Sequence, residues 1–230
     1  LISQEKHAPY SRDIWSKVLT KKSKDLELRS RNWLDEHDIE FRASTKVTAM
    51  DSTERILKFE GTEEDLQYDD VLIATGCQAR EVFAPGYDLG NIFRLRSVDD
   101  AHDIAKMTLA HQKPRVMIIG ASFIGMEVAS TLTSLGAEVT MVGLETMPYE
   151  RVLGRKVGAA FALLLDKAGV EFIGNKKVTL FRGDYKVRKV EMEDGDKIKT
   201  DIVVLGAGVI PNTGAFTDVQ KSRDGGIVVD

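Results

Sequence analysis

The sequence predicts an α/β protein of two similar three-layer domains, each combining a parallel sheet and helices with an antiparallel β-meander. Two observations carry this prediction. Residues 115–143 contain a short apolar strand, a glycine loop, a helix and a second strand, which is the order of a parallel βαβ unit. The segments YDDVLIATG (68–76) and TDIVVLGAG (200–208) share an Asp, an apolar strand and a small-residue turn, which indicates a duplicated plan.

Composition restricts the function classes. The 230 residues are 43% hydrophobic and 30% charged, which is typical of a soluble globular protein. A net charge of −4 gives no electrostatic reason to expect nucleic acid as a partner. No apolar run reaches the roughly 18 residues of a membrane span. The single cysteine, Cys77, suits a reducing compartment, and the four histidines are too scattered for a metal site.

The second half is the clearer of the two. RVMII (115–119) predicts a strand that ends at Gly120. The helix after it is predicted from apolar residues at steps of four, four and three: Ile124, Val128, Leu132 and Leu135. Gly136 ends this helix, and EVTMV (138–142) predicts the second strand.

Further elements complete this domain. A helix is expected around residues 155–168, followed by a strand at 170–173. Alternating segments then predict an antiparallel meander, with turns at Gly183-Asp184 and Asp194-Gly195-Asp196. The apolar run 202–205 closes the domain and leads into GAGVIPN.

The first half repeats the later part of this plan. ISQE (2–5) resembles the end of a strand, and the helix is expected around residues 24–37. The short strands IEFRA, KVTAMD and RILKFE follow, and 68–76 predicts the last strand. Comparison with the second half places the first strand and glycine loop of this domain before Leu1. The predicted ranges are therefore a partial first domain (1–96), a second domain (97–214) and a return segment (215–230).

Five segments in order resemble the flavoprotein reductases that have two dinucleotide-binding, Rossmann-like domains, within the pyridine nucleotide-disulfide oxidoreductase superfamily. The segments are HAPYSRDIWSK, YDDVLIATG, GASFIGMEVA, RVLGRKVGAAF and VLGAGVIPNT. They are most similar to the apoptosis-inducing-factor-like (type 3) and ferredoxin reductase branch. The resemblance implies FAD in the first domain and NAD(P)H in the second.

This resemblance also implies an activity. Thiol reductases of the superfamily carry a Cys pair after the position of Glu5, and this chain has none there. A hydride would therefore pass from NAD(P)H to FAD, and electrons would then reach an iron–sulfur acceptor of the ferredoxin or Rieske type. Two alternatives remain open: a truncated, non-catalytic nucleotide-binding or interaction protein, and a quinone-reducing NADH dehydrogenase. The branch suggests cytoplasm or mitochondria, and a homodimer is left open.

The NAD(P)H site is expected at GASFIG, where a helix N-terminus presents free N–H groups to a pyrophosphate. The alternative is a turn that binds nothing. The expected cofactor-binding residues are Gly120, Ser122, Phe123, Ile124 and Gly125 in this loop and Gly206, Gly208 and Pro211 in GAGVIPN.

The residue that selects between NADH and NADPH is not at its usual place. An acidic residue at the end of the second strand normally accepts from the ribose hydroxyls, and here that position is Gly143. Glu145 lies two residues later, and no Arg or Lys occurs in 143–150 to bind a 2′-phosphate. We expect NADH to be favoured weakly, because Glu145 would repel that phosphate.

On the flavin side, the resemblance assigns Glu5 to the FAD ribose and Val47 to the adenine. It also assigns further residues to the flavin: Arg12, Lys17, Ala74, Thr75 and Gly76. The alternatives are a surface glutamate, a core valine and a simple strand-to-loop turn.

Related reductases also imply a catalytic pair. We predict that Lys17 and Glu127 form an ion pair across the domain interface, with the cation close to flavin N5. The alternative is that each side chain is separately exposed, as is usual for Lys and Glu.

Overall fold

A computed structural model describes residues 1–229. The helices are α1 (Arg31–Glu36), α2 (Val98–Leu109), α3 (Phe123–Ser134), α4 (Glu150–Leu153) and α5 (Arg155–Lys167). The strands are β1 (Val47–Asp51), β2 (Ile56–Phe59), β3 (Asp65–Gln67), β4 (Cys77–Ala79), β5 (Ile92–Arg94), β6 (Arg115–Ile119), β7 (Glu138–Val142), β8 (Glu171–Ile173), β9 (Val178–Gly183), β10 (Val187–Met192), β11 (Lys197–Lys199), β12 (Ile202–Leu205) and β13 (Val209–Pro211).

The chain forms two compact units. The first unit contains Leu1–Ser11, Lys22–Gln78 and the chain from Val209 onward. The second unit contains Arg12–Lys21 and Ala79–Gly208. This division by compactness differs from the predicted domain ranges, which stay predictions.

A five-stranded parallel sheet forms the centre of the second unit, in the order β5-β12-β6-β7-β8. Strand β12, between β5 and β6, is buried at every residue, and the central strand β6 is buried at all residues after Arg115. Such continuous apolar runs are expected where a parallel sheet is covered on both faces. Arg115, at the start of β6, binds Asp201 through two guanidinium nitrogens at 2.7 and 2.9 Å.

Helices and a meander form the outer layers of this unit. Helix α3 contacts β6 and β7, α2 contacts β5 and β12, and α5 contacts β8. The antiparallel strands β9, β10 and β11 pack as a separate sheet whose buried residues, such as Phe181 and Val190, share a core with Met117 and Val203 of the parallel sheet. The three-layer α/β fold predicted from the sequence is confirmed for this unit.

The first unit contains a second meander, formed by β1, β2 and β3 in antiparallel pairs. Its core consists of Met50, Leu57, Phe59 and Phe216. The strands predicted from KVTAMD and RILKFE are therefore confirmed. The short strands β4 and β13 pair with each other, which the sequence did not predict.

Four expectations for the first unit are wrong in detail. The helix expected at 24–37 is split into a 3-10 helix (Ser23–Leu26) and α1, because Leu28 N–H donates to Pro9 O between them. ISQE and IEFRA contribute only a single parallel bridge between Ile2 and Arg42. Residues 70–76 form no strand: Leu72 is 91% exposed, and no strand among the described residues pairs with this run.

Across residues 1–229, the structure contains no helix with the length and apolar character needed to cross a membrane.

Candidate functional site

The glycine loop connects β6 to α3 through the closest backbone contacts of the site. Gly120 has φ +116°, and a Cβ there would lie 2.3 Å from Gly206 O. A Cβ on Gly125 would lie 2.1 Å from Gly120 O, and one on Gly206 would be 3.3 Å from Gly125 Cα. The three glycines therefore allow the start of α3, the loop and the end of β12 to touch, and no larger residue fits at Gly120 or Gly125.

This cradle fits a dinucleotide pyrophosphate. Helix α3 has 12 residues, and the first N–H groups of a helix have no partner within the helix. Those groups and the positive end of the helix dipole favour an anion. Ser122 is the N-cap residue, but its side chain makes no capping bond. Its Oγ donates instead to Gly206 O at 3.2 Å, so it links the loop to β12.

Gly208, two residues beyond Gly206, borders open space. It has φ +97°, and a Cβ there would meet only Arg80 Nε at 3.9 Å. Arg80 N–H donates to Gly208 O at 2.9 Å and fixes this turn within the second unit. Pro211, by contrast, ends β13 in the first unit.

The position of the missing acid, Gly143, has little room for a side chain. A Cβ there would lie 3.2 Å from Ala121 Cβ and 3.3 Å from a ring carbon of Phe172. Glu145 has a partner that the sequence interpretation missed, because Arg151 Nη2 lies 2.8 Å from its Oε1. The turn into α4 returns Arg151 to Glu145, one residue beyond the segment 143–150, which contains no Arg or Lys. Glu145 is 26% exposed and Arg151 is 77% exposed.

Tyr149 is a second residue that the sequence did not single out. It is 8% exposed with φ +57°, and its N–H donates to Ala121 O at 3.0 Å. Its ring centroid lies 4.7 Å from those of Phe123 and Phe161, so it supports the half-exposed Phe123 at the start of α3. Burial, with a smaller effect from the Glu127 carboxylate, raises the pKa of Tyr149.

The predicted Lys17–Glu127 ion pair is confirmed, with 3.2 Å between Nζ and Oε1. In the division by compactness, both residues belong to the second unit, and the predicted domain interface stays a prediction. The segment carrying Lys17 is held there by Trp15 and Leu19, each 1% exposed. The burial of these two apolar side chains stabilises the position of the segment, although its sequence is rich in turns.

Glu127 has a further partner. Ser16 Oγ donates to Glu127 Oε2, and Thr131 Oγ1 donates to Ser16 O at 2.7 Å. Both carboxylate oxygens are therefore bound, one by Lys17 and one by Ser16. Ser16 is buried and directly precedes Lys17, but nothing in the sequence distinguishes it from any other serine. A cleft of about 440 Å³ opens beside the pair and is lined by Thr20, Lys21 and hydroxyls of α3.

The remaining predicted residues lie outside the glycine cradle and the Lys17–Glu127 pair, apart from Ile124 in α3. Tyr10 OH donates to Glu5 Oε2, which fixes that carboxylate within the first unit. Thr75 Oγ1 donates to Asn212 O at 2.6 Å, while Asn212 N–H donates to Gly76 O at 2.8 Å. Ala74 is exposed beside Thr75, and Val47 lies at the start of β1. Ile124 lies in the first turn of α3. Arg12 belongs to the second unit, where its Nη1 donates to Arg96 O at 3.3 Å.

For the described part of the chain, no group of three or more His, Cys, Asp or Glu side chains is placed to hold a metal ion.

Comparison with known proteins gives consistent matches over the whole chain. A family model described as pyridine nucleotide-disulphide oxidoreductase matches residues 1–230. Apoptosis-inducing factor 3 from Homo sapiens is 30% identical over 216 residues, covering 93% of this chain and 35% of that protein. Rubredoxin-NAD(+) reductase from Pseudomonas putida is 30% identical over 238 residues, covering 100% of this chain and 60% of that protein.

A solved structure shares this fold. The ferredoxin reductase for the CYP199A2 system from Rhodopseudomonas palustris superposes with a TM-score of 0.87 at 29% identity, covering 93% of this chain and 53% of that one. The chain thus spans between 35% and 60% of the length of these three proteins.

Proposed function

Because the chain belongs to the pyridine nucleotide-disulphide oxidoreductase family, we propose that it is an NAD(P)H-dependent FAD oxidoreductase with an iron–sulfur electron acceptor. The cradle of Gly120, Gly125 and Gly206 at the start of α3 carries this proposal, because it fits a dinucleotide pyrophosphate. When bound, FAD would supply the redox chemistry that links a two-electron hydride donor to a one-electron acceptor. Relatives named as reductases of rubredoxin and ferredoxin, both iron–sulfur proteins, support this acceptor class.

The residues of this chain would bind and orient the cofactors. We assign the pyrophosphate of NAD(P)H to the first N–H groups of α3, with Phe123 and Gly208 beside it. We assign FAD to Glu5, Val47 and the turn of Ala74, Thr75 and Gly76, with Arg12 on the flavin side. Lys17 would supply a cation that stabilises negative charge on a bound flavin, and Glu127 would hold the Lys17 ammonium in place through their ion pair.

For the nicotinamide cofactor, we propose NADH. Glu145 provides a carboxylate three residues after the end of β7, where a 2′-phosphate would be repelled. Arg151 neutralises part of that charge, so the preference is small. Glu145→Gln is expected to lower the ratio of the NADPH to the NADH dissociation constant, and Arg151→Ala to raise it, each by roughly three- to tenfold. Equal ratios in both variants and the parent protein would contradict this assignment.

Cofactor binding is tested on the purified 230-residue chain reconstituted with FAD. Quenching of Trp15 and Trp33 fluorescence by NADH measures nucleotide binding, and flavin absorbance measures FAD binding. Gly125→Ala is expected to abolish NADH binding, because its Cβ would meet Gly120 O. Gly214→Ala is the control, because nothing lies within 4 Å of the added methyl group. Circular dichroism shows whether the Gly125 variant is folded, and Phe123→Ala gives a second, milder test of the same loop.

The outcomes separate the candidate functions. Binding of NADH without any FAD binding would support the non-catalytic nucleotide-binding alternative, and binding of neither would refute the proposal. With FAD bound, NADH oxidation is compared with rubredoxin, a [2Fe–2S] ferredoxin and a soluble quinone as acceptors. A quinone rate above both iron–sulfur rates would overturn the proposed acceptor in favour of a quinone-reducing dehydrogenase.

The single cysteine supports a reducing compartment, and we propose the cytoplasm or mitochondria.

A further inference from the structure

The loop that carries Glu145 (residues 143–146, the Glu145 loop) is held by a second loop (residues 174–176, the supporting loop). The two loops follow neighbouring parallel strands, β7 and β8. Three backbone hydrogen bonds of 3.0 to 3.1 Å join them: Gly143 N–H to Ile173 O, Lys176 N–H to Gly143 O and Asn175 N–H to Glu145 O. The backbone position of Glu145 therefore depends on β8 and the loop after it, as well as on β7.

The two loops pack too closely for a side chain at Gly174. A Cβ there would lie 2.7 Å from Thr146 O and 2.8 Å from Glu145 O. The Phe172 ring, at the middle of β8, lies 3.3 Å from the position of a Cβ on Gly143. This packing leaves little space for an acidic side chain at Gly143, and the carboxylate is instead carried by Glu145, two residues later.

Asn175, at the centre of the supporting loop, has a left-handed backbone conformation. Its φ is +54°, a value that Asn adopts more readily than most residues other than glycine. Its side chain also contributes, because Thr146 Oγ1 donates to Asn175 Oδ1 at 3.3 Å. Asn175 therefore binds two consecutive residues of the Glu145 loop, Glu145 through its backbone and Thr146 through its side chain.

The supporting loop is fixed on its other side by ion pairs. Lys176 Nζ pairs with Asp194 and lies 3.0 Å from Asp196 Oδ2, and both aspartates lie in the turn between β10 and β11. The Lys176 side chain is 25% exposed. Because these contacts attach the supporting loop to the meander, it provides a fixed support for the Glu145 loop.

We propose that Asn175 is a positioning residue for nucleotide specificity, which holds Glu145 where its carboxylate repels the 2′-phosphate of NADPH. The proposal rests on the assignment of Glu145 in the proposed function and adds a residue that acts through it. Arg151 Nη2 lies 2.8 Å from Glu145 Oε1, so a Glu145 loop released from Asn175 would follow this exposed cation. The carboxylate would then lose its fixed position, and its repulsion of a 2′-phosphate would fall.

The test measures the ratio of the NADPH to the NADH dissociation constant, by tryptophan fluorescence of the chain reconstituted with FAD. A general loss of binding cancels in this ratio, because the two nucleotides differ only in the 2′-phosphate. Asn175→Ala loses the side-chain acceptor and disfavours the left-handed φ, so it should lower the ratio by roughly three- to fivefold. Asn175→Gly keeps that φ and the N–H donor, so it should lower the ratio by less than about twofold.

Asn91→Ala is the matched control. Asn91 also has a left-handed φ, +65°, and its Nδ2 donates to Asp201 O at 3.0 Å, but it precedes β5 at the other edge of the parallel sheet. This variant should lose stability and keep the parent ratio. In a Glu145→Gln background, Asn175→Ala should leave the ratio unchanged, because its effect passes through the Glu145 carboxylate.

Limited trypsin digestion gives a second readout that needs no nucleotide. Release of the Glu145 loop should expose the peptide bond after Arg151, so cleavage there should be at least about threefold faster in Asn175→Ala than in Asn91→Ala. Equal cleavage rates in these two variants would overturn the support that Asn175 gives to Glu145.

The remaining outcomes separate this proposal from the proposed function. A parent chain that binds neither nucleotide would refute the proposed function and the specificity role of Asn175 together. Binding of both nucleotides with the parent ratio in Asn175→Ala would overturn the role of Asn175 alone. The same conclusion would follow from an equal change of the ratio in Asn91→Ala, or from additive effects of Asn175→Ala and Glu145→Gln.

Discussion

The ion pair of Lys17 and Glu127 allows a quantitative prediction, because its geometry and exposure are both known. Unit charges 3.2 Å apart attract by about 1.3 kcal/mol at the dielectric constant of water and by about 5 kcal/mol at an effective value of 20. The Lys17 side chain is 51% exposed, which places the pair close to the aqueous limit. Exposed pairs usually contribute about 0.2–1 kcal/mol after the entropy of ordering both side chains is subtracted. Ser16 already orders Glu127, so we expect the upper end, about 1 kcal/mol.

A double-mutant cycle measures this coupling free energy. Lys17→Met, Glu127→Gln and the double variant are compared with the parent chain by urea unfolding, with the buried Trp15 as a local fluorescence probe. The Lys46–Glu60 pair is the control cycle, because its side chains are 52% and 62% exposed. A coupling below about 0.2 kcal/mol for Lys17 and Glu127, or one no larger than that of the control pair, would refute the reasoning.

Three further predictions use the same unfolding assay. Ser16→Ala should lower stability by about 1 kcal/mol and reduce the Lys17–Glu127 coupling to that of an exposed pair, whereas Ser16→Thr retains the donor. Leu132→Ala should cost about 2–5 kcal/mol because Leu132 is 0% exposed, against less than 1 kcal/mol for the exposed Leu109→Ala. Hydrogen bonds from Arg115 hold the pKa of Asp201 below its usual value, so its stabilisation is present above the unfolded-state pKa of about 3.9 and is lost as pH falls through the folded-state pKa. Asp201→Asn should therefore cost roughly 0.5–1 kcal/mol at pH 7, after allowance for solvent screening, and this cost should shrink below pH 4.

The second unit was predictable from sequence because its local signals and its long-range contacts agree. The apolar run 115–119 predicts a strand, and the structure places β6 between two parallel neighbours that bury it. Gly136 ends α3 with φ +88°, as its position after the last apolar residue indicated. The Lys17–Glu127 pair was also found, although family resemblance and not periodicity pointed to it.

The first unit was less predictable because distant contacts decide its local structure. The pattern at 24–37 favours a helix, but the Tyr10–Glu27 bridge and the Leu28–Pro9 hydrogen bond hold its middle in an extended form. Arg151 was missed for a related reason. A turn at Tyr149, which has a left-handed backbone conformation, brings Arg151 back to Glu145. No sequence pattern predicts this turn.

The two copies of the repeated pattern show what an apolar run specifies and what it does not. Residues 202–205 and 71–74 have similar composition, yet the first run is the buried interior strand β12 and the second leaves Leu72 91% exposed. Strand β12 has hydrogen-bonded partners in β5 and β6, whereas within the described chain the earlier run has none. A β-branched apolar run therefore favours a buried position between neighbouring strands. It forms a strand only where those neighbouring strands are present. The sequence repeat therefore indicates the type of sheet into which each run would fit. It is weaker evidence for the conformation that each run adopts.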